Sequence, residues 1–242
     1  MTFRAFIAAA GMALTLISAA VAGEIRQNPK VVLELFTSQG CSSCPPADAL
    51  LEELAQRSEV IALAYHVDYW DYIGWVDTFG SKAHSDLQRD YAAAKGSSRI
   101  FTPQLIVNGR DGVVASRRHE VGGAVEKARL ELPVMLKSDG EMLEVSIPPN
   151  AALEGGVIWL VSYIDRAEVK IERGENAGKT IAYAQIVTDR QALGMWEPGT
   201  GTKLKLPLNE VLAAPANGAV ILVQQERADL PGRILGAGSF QR

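Results

Sequence analysis

The chain has 242 residues, 48% of them hydrophobic, and a formal net charge of −4. That balance supplies ordinary cores and leaves no run that reads as disordered, while net acidity argues against nucleic acid, whose phosphates demand a basic surface. Length allows one or two domains.

The first residues read as an export signal. Arg4 supplies the positive start, Ala5 to Leu16 is uncharged and apolar, and Ala20-Val21-Ala22 is a small-residue cleavage site. The alternative is a membrane anchor, but the run is short for a span of about 20 residues. We expect cleavage near Ala22 and a periplasmic or secreted protein with no stable membrane span.

Val31–Phe36 is an apolar run of strand length. Ala47, Leu50, Leu51, Leu54 and Ala55 then recur at helical spacing, which predicts a helix from Pro45 to about Arg57. Proline suits a first turn, where its N–H would have no intrahelical partner. Val60–Val67 reads as a second buried strand, and an aromatic stretch, Asp68 to Trp75, follows it. A helix is predicted from Ser81 to about Lys95, then a hairpin of Gln104–Val107 and Gly112–Ala115 around Asn108-Gly109, then a helix from His119 to Leu130. Alternating strands and helices imply an α/β layer with a partly parallel sheet. From Pro133 the pattern changes. Val134–Lys137, Met142–Ile147, Val157–Ile164, Val169–Glu172, Thr180–Thr188, Lys203–Leu206 and Ala219–Glu226 read as short strands separated by Gly, Pro and Asn. Strands punctuated this way suggest a mostly antiparallel β-sandwich. The expected organisation is a signal peptide at 1–22, an α/β domain at 23–131 and a β-sandwich at 132–242.

The two cysteines sit three apart, Cys41-Ser42-Ser43-Cys44, between the first strand and the first helix. Such a pair can form a disulfide, clamp a soft metal or shuttle electrons. In an oxidising compartment a disulfide persists, yet a bridge closing so short a loop gives little entropic stabilisation, which shifts weight towards chemistry. Cys41 falls just before the helix, where free N–H groups and the positive dipole end stabilise a thiolate and exchange needs it exposed; Cys44 lies a turn further in and more buried. That asymmetry makes Cys41 the nucleophile and Cys44 the resolving thiol.

These features resemble the thioredoxin superfamily: strand Val31–Phe36, Cys41-x-x-Cys44 opening a helix, and Thr102-Pro103 before a hairpin strand. The resemblance implies that Pro103 is cis and that Thr102 offers backbone pairing to a substrate peptide. Glu34 interrupts an apolar strand, which is costly unless it has a task or a partner. Thioredoxins carry a buried acid beneath the disulfide at nearly this place, one residue nearer the cysteine. The resemblance would have Glu34 handle the proton of Cys44; otherwise it faces solvent on an edge strand or pairs with a lysine. The chain departs from thioredoxins at Gly40, usually Trp there, and at Ser42-Ser43, which is neither Gly-Pro nor Pro-His. Over its whole length the chain is similar to a secreted bacterial family of unknown function with a thioredoxin-like fold, domain of unknown function 1223. The segments that carry this are Leu35–Asp48, His66–Asp71, Thr102-Pro103-Gln104 and Gly174–Lys179.

Ligand sites in open parallel sheets gather beyond the strand carboxyl ends. If the second strand runs parallel to the first, His66, Asp68, Tyr69, Trp70 and Asp71 arrive near Cys41; Gln104, next to Pro103, is a further substrate-binding candidate. They then wall a pocket that recognises a peptide, and a histidinium there lowers the pKa of Cys41. The plainer reading is an aromatic cluster with His66 a hydrogen-bonded core residue. Gly174–Lys179 is a hairpin turn, or a loop that folds over the cysteines and contributes to substrate choice. Cys41 and Cys44 with His66, His84 or His119 could hold copper(I) or zinc, but there is no second Cys pair. The sequence therefore points to a thiol–disulfide oxidoreductase without a cofactor or bound metal, whose partners are protein thiols or disulfides. The alternatives are a non-enzymatic binding module with a structural disulfide and a copper(I) metallochaperone.

Overall fold

The computed structural model describes residues 23–242; the expected signal segment lies outside them. Nine strands form one mixed sheet. In chain order the elements are β1 (Glu24–Gln27), β2 (Val31–Thr37), α1 (Pro45–Ala55), β3 (Val60–His66), α2 (Lys82–Ala94), β4 (Gln104–Val107), β5 (Asp111–Val114), α3 (Arg118–Lys127), β6 (Met135–Ser138), β7 (Met142–Ile147), β8 (Gly156–Lys170), β9 (Thr180–Trp196), β10 (Thr202–Pro207), α4 (Leu208–Val211), β11 (Gly218–Arg227) and β12 (Leu230–Gln241). The large sheet runs β1-β12-β11-β8-β9-β3-β2-β4-β5, and β10-β7-β6 form a second sheet. β2 and β3 are parallel, β4 and β5 follow antiparallel, and a short parallel pairing of Ala64 with Ile186 joins β3 to β9.

Three apolar layers hold these parts. Val31, Leu33 and Leu35 point to one face of the sheet, where α1 and α3 cover them. Val32 and Phe36 point to the other, where Leu87 and Tyr91 of α2 meet residues of β8, β9, β11 and β12. This is the two-residue alternation of a strand buried on both sides. The third layer lies between the small sheet, α4 and the inner face of β8, β11 and β12, around the buried ring of Trp196.

The first half follows the predicted elements closely. Ser81 caps α2, its hydroxyl accepting from the Ala83 N–H. The second half differs in two ways. Val157–Ile164 and the first two residues of Val169–Glu172 lie in one continuous strand, β8, whose partner β9 runs on to Trp196; the register of the long hairpin shifts at Ile158/Trp159 and Ser162/Tyr163. β1 and β12 were not expected as strands. β12 carries glycines at 232, 236 and 238, and a Cβ at Gly236 would stand 2.0 Å from the Leu132 carbonyl oxygen. Close backbone approach, not β propensity, selects its residues. Among the described residues no helix is long and apolar enough to cross a membrane.

Candidate functional site

β2 ends at Thr37, and the chain turns through Ser38-Gln39-Gly40 before the cysteines. The Cys41 N–H donates to Ser38 O at 3.1 Å and the Cys44 N–H to Cys41 O at 3.2 Å, so the pair sits on a tight turn that runs directly into α1. Cys41 and Cys44 are bonded as a disulfide, with Cα atoms 5.4 Å apart. Gly40 stands where a larger residue would collide: its Cβ would lie 3.1 Å from Trp70 Cβ. Trp70 thus fills the space beside the turn from a different segment.

The expected contrast between an exposed Cys41 and a buried Cys44 is absent. Cys41 is 1% exposed and Cys44 0%. The β8–β9 tip sits against this turn. Asn176 is buried, and its Nδ2 donates to Gln39 O at 2.9 Å and Cys41 O at 3.0 Å. Glu175 Oε2 accepts from the Ser42 N–H at 3.3 Å. Gly174–Lys179 is the turn of the β8–β9 hairpin, and Glu175 and Asn176 bring it against the cysteine turn.

A buried acid does sit by the cysteines, but it is Asp48. It follows Cys44 by one helical turn, its N–H donating to Cys44 O at 3.1 Å. Its Oδ1 accepts from Thr37 Oγ1 at 2.7 Å, and its Oδ2 has no partner. Burial above all, with the charge of Asp77, pushes the Asp48 carboxyl up to about 7 against the opposing Thr37 hydroxyl and His66. Glu34 is placed elsewhere. Strand alternation turns it to the α2 face, opposite α1, where it is wholly buried on a central strand rather than at a solvated edge. Tyr91 Oη donates to Glu34 Oε2 at 2.5 Å, and Gln224 Nε2 in turn donates to Tyr91 Oη at 2.8 Å. Burial raises the Glu34 carboxyl above its ordinary range, opposed by Tyr91, Arg190 and Tyr65.

His66, at the end of β3, pairs in register with Thr37. Its Nδ1 lies 2.8 and 3.1 Å from the two oxygens of Asp77. Asp77 also accepts from the backbone N–H groups of Gln39 at 2.8 Å and Phe79 at 2.9 Å. Burial alone would raise the Asp77 carboxyl; His66 and these donors outweigh it and hold it below the usual range. An ionised Asp77 can only accept, so Nδ1 of His66 carries a proton. His66 Nε2 and the Tyr183 hydroxyl are both buried without partners, and the two rings lie 4.9 Å apart.

The remaining expected residues divide. Trp70 Nε1 donates to Thr102 Oγ1 at 2.8 Å, tying the cysteine turn to the cis Thr102–Pro103 bond. Asp68 turns to α2, accepting from Ser85 Oγ at 2.5 Å. Tyr69 Oη donates to Gln88 Oε1 at 3.1 Å, and Gln88 Nε2 donates to Gln104 Oε1 at 2.7 Å. Tyr72, 81% exposed, stacks on Trp70, and Phe101 is exposed beside Thr102. Sequence reasoning missed Asp48 and Asp77, and named the Gly174–Lys179 segment without giving Glu175 or Asn176 a contact. Asp48 had a signal, being four residues beyond Cys44 on one helix; Asp77 had none.

Among the described residues no group of three His, Cys, Asp or Glu side chains is placed to hold a metal ion. His84 Nδ1 lies 2.9 Å from His66 O, and His119 lines a cavity of about 530 Å³ between α3 and the β4–β5 hairpin.

Residues 32–224 match the family described as "Protein of unknown function (DUF1223)". The crystal structure of protein AGR_C_4864 from Agrobacterium tumefaciens is 34% identical, covers 88% of this chain and 94% of its own, and superposes with a TM-score of 0.78. HBP35 of Porphyromonas gingivalis is 16% identical over 90% of this chain and 76% of its own, with a TM-score of 0.54, a likeness of fold alone. No curated protein matches the chain. With four-fifths of its length matched and its fold shared with the Agrobacterium protein, this chain belongs to the DUF1223 family of proteins of unknown function.

Proposed function

We propose that this protein is an extracytoplasmic thiol–disulfide oxidoreductase, exported after cleavage near Ala22, whose working pair is Cys41 and Cys44. Residues 23–131 form its thioredoxin-like layer and 132–242 a β-sandwich built onto the same sheet. The strand order β3-β2-β4-β5, with α1 and α3 on one face and α2 on the other, supports this reading. The observation that carries it is the disulfide at the β2–α1 turn, with a buried Asp48 one turn beyond Cys44 and Thr102–Pro103 tied alongside through Trp70.

In exchange, a substrate thiolate attacks Cys41 Sγ. The Cys41–Cys44 bond breaks, and Cys44 leaves as a thiolate that takes its proton from Asp48. A second substrate thiolate then attacks the substrate sulfur of the mixed disulfide and expels Cys41. Two substrate thiols lose two electrons and two protons; the cysteine pair gains the electrons, one proton goes to the Cys41 thiolate and the other restores Asp48. The reverse sequence reduces a substrate disulfide.

The reduction potential of the pair, by alkylation-shift titration in glutathione or dithiothreitol buffers, tests this. A working exchange catalyst falls between about −120 and −270 mV. A value below roughly −300 mV marks an inert bridge. That result would favour the second reading, a binding module with a structural disulfide, to which the burial of Cys41 already lends support.

A further inference from the structure

The β8–β9 tip holds the cysteine turn by two side chains, buried Asn176 and exposed Glu175. From Glu172 to Thr180, Asn176 is the one fully buried residue; Glu172, Arg173, Glu175 and Ala177 to Thr180 are exposed. The loop is internally closed, the Gly178 N–H donating to Ile171 O at 2.8 Å and the Lys179 N–H to Asn176 O at 3.2 Å, so it can move as a unit. Lys179 Nζ donates to Asn176 Oδ1 at 2.8 Å, which leaves the two amide hydrogens aimed at Gln39 O and Cys41 O. Lifting the tip breaks these side-chain hydrogen bonds, and with the tip seated Cys41 is 1% exposed.

We propose that Asn176 is a specificity-determining latch: its carboxamide occupies two backbone acceptors beside the disulfide that an extended polypeptide substrate takes over with its own N–H groups, so the site favours polypeptide thiols over small ones. The inference rests on the exchange reading of Cys41–Cys44. Opening has a cost, and only a partner with contacts remote from the sulfur has binding energy to offset it. A polypeptide has such contacts, with Gln39 O and Cys41 O as acceptors and exposed Tyr72 and Phe101 at the flank. A small thiol has none. Asn176 touches no reacting atom and acts through the position of the turn.

The test compares two reductants on the folded, oxidised protein at 25 °C: dithiothreitol, and a reduced unfolded polypeptide carrying two thiols. In Asn176→Ala, dithiothreitol should reduce the disulfide roughly thirtyfold faster, the worth of two ordinary hydrogen bonds. At a saturating polypeptide concentration its rate should rise less than about threefold, because the bound polypeptide already holds the tip open in both proteins. Glu175→Ala, which loses only the exposed contact to Ser42, should speed dithiothreitol by about threefold and serves if the Asn176 variant does not fold. A merely structural asparagine would not change the ratio of the two rates. Unchanged dithiothreitol rates in both variants overturn the latch, and equal acceleration of both reductants overturns the selectivity. A wild-type disulfide inert to the polypeptide, with dithiothreitol still faster in the variants, sinks the exchange reading and the selectivity with it, leaving the tip as the cover of a structural bridge.

Discussion

A Cys44→Ser protein, reduced and offered a disulfide-bonded polypeptide, is expected to accumulate a covalent adduct through Cys41. A Cys41→Ser protein should form none and lose all exchange. Attack by Cys41 makes the mixed disulfide and expels one substrate thiolate. Resolution needs a second thiol in reach, and Cys44, the next residue but two and bonded to Cys41 in the oxidised form, is the other cysteine of the chain. Serine at 44 keeps the volume but cannot attack a disulfide, so the intermediate stalls. Non-reducing gels and intact mass resolve the adduct. Both variants should remain folded, since a bridge closing so short a loop contributes only about 2 kcal/mol by chain entropy. A folded Cys44→Ser protein that traps nothing, or a Cys41→Ser protein that still exchanges, would defeat the assignment.

The second large effect is on stability against pH. Asp48 is held at about 7 in the folded protein against an ordinary value of 3.8. Between those values the folded state keeps a proton that the unfolded state has released. Stability therefore falls as pH rises from roughly 4 to 7, and the loss is complete above the folded value. The size is about 4 kcal/mol as an upper figure. Asp48→Asn keeps the shape and an acceptor for Thr37 Oγ1 while removing the charge. It should leave stability near pH 4 almost unchanged and raise it at pH 8 by up to about 4 kcal/mol. Urea unfolding of both proteins at several pH values reads this. Buried Glu34, also raised, cancels in the difference between the two proteins. A constant difference across the range would mean that Asp48 is ionised throughout. The same variant should slow release of Cys44 at neutral pH, since its proton donor is gone.

These expectations separate what was legible in the sequence from what was not. The strand–CxxC–helix unit, the Thr102–Pro103 turn and the Asn108-Gly109 hairpin rest on short-range rules of spacing, turn chemistry and alternation, which act within a few residues and need no knowledge of the rest. The strands from Met142 onward were visible for the same reason, though β8 hid as two because its outer half alternates over solvent. β12 was invisible because its glycines answer to neighbours such as Leu132, far off in sequence.

The role of Glu34 stayed open because strand alternation states which residues share a face but not which helix covers that face. Val31, Leu33 and Leu35 went to α1, and Glu34 went to α2. His66 was singled out by its place at a strand end, but its partner Asp77 comes from an irregular loop with no periodicity to read. By itself, the sequence determined the two sulfurs, their turn and the layer that carries them. Tertiary structure decided their accessibility: a hairpin more than 130 residues downstream puts one amide onto the carbonyl of Cys41. Such a contact is set by the length and bend of β8 and β9 and by their pairing with the rest of the sheet, and no local pattern encodes it.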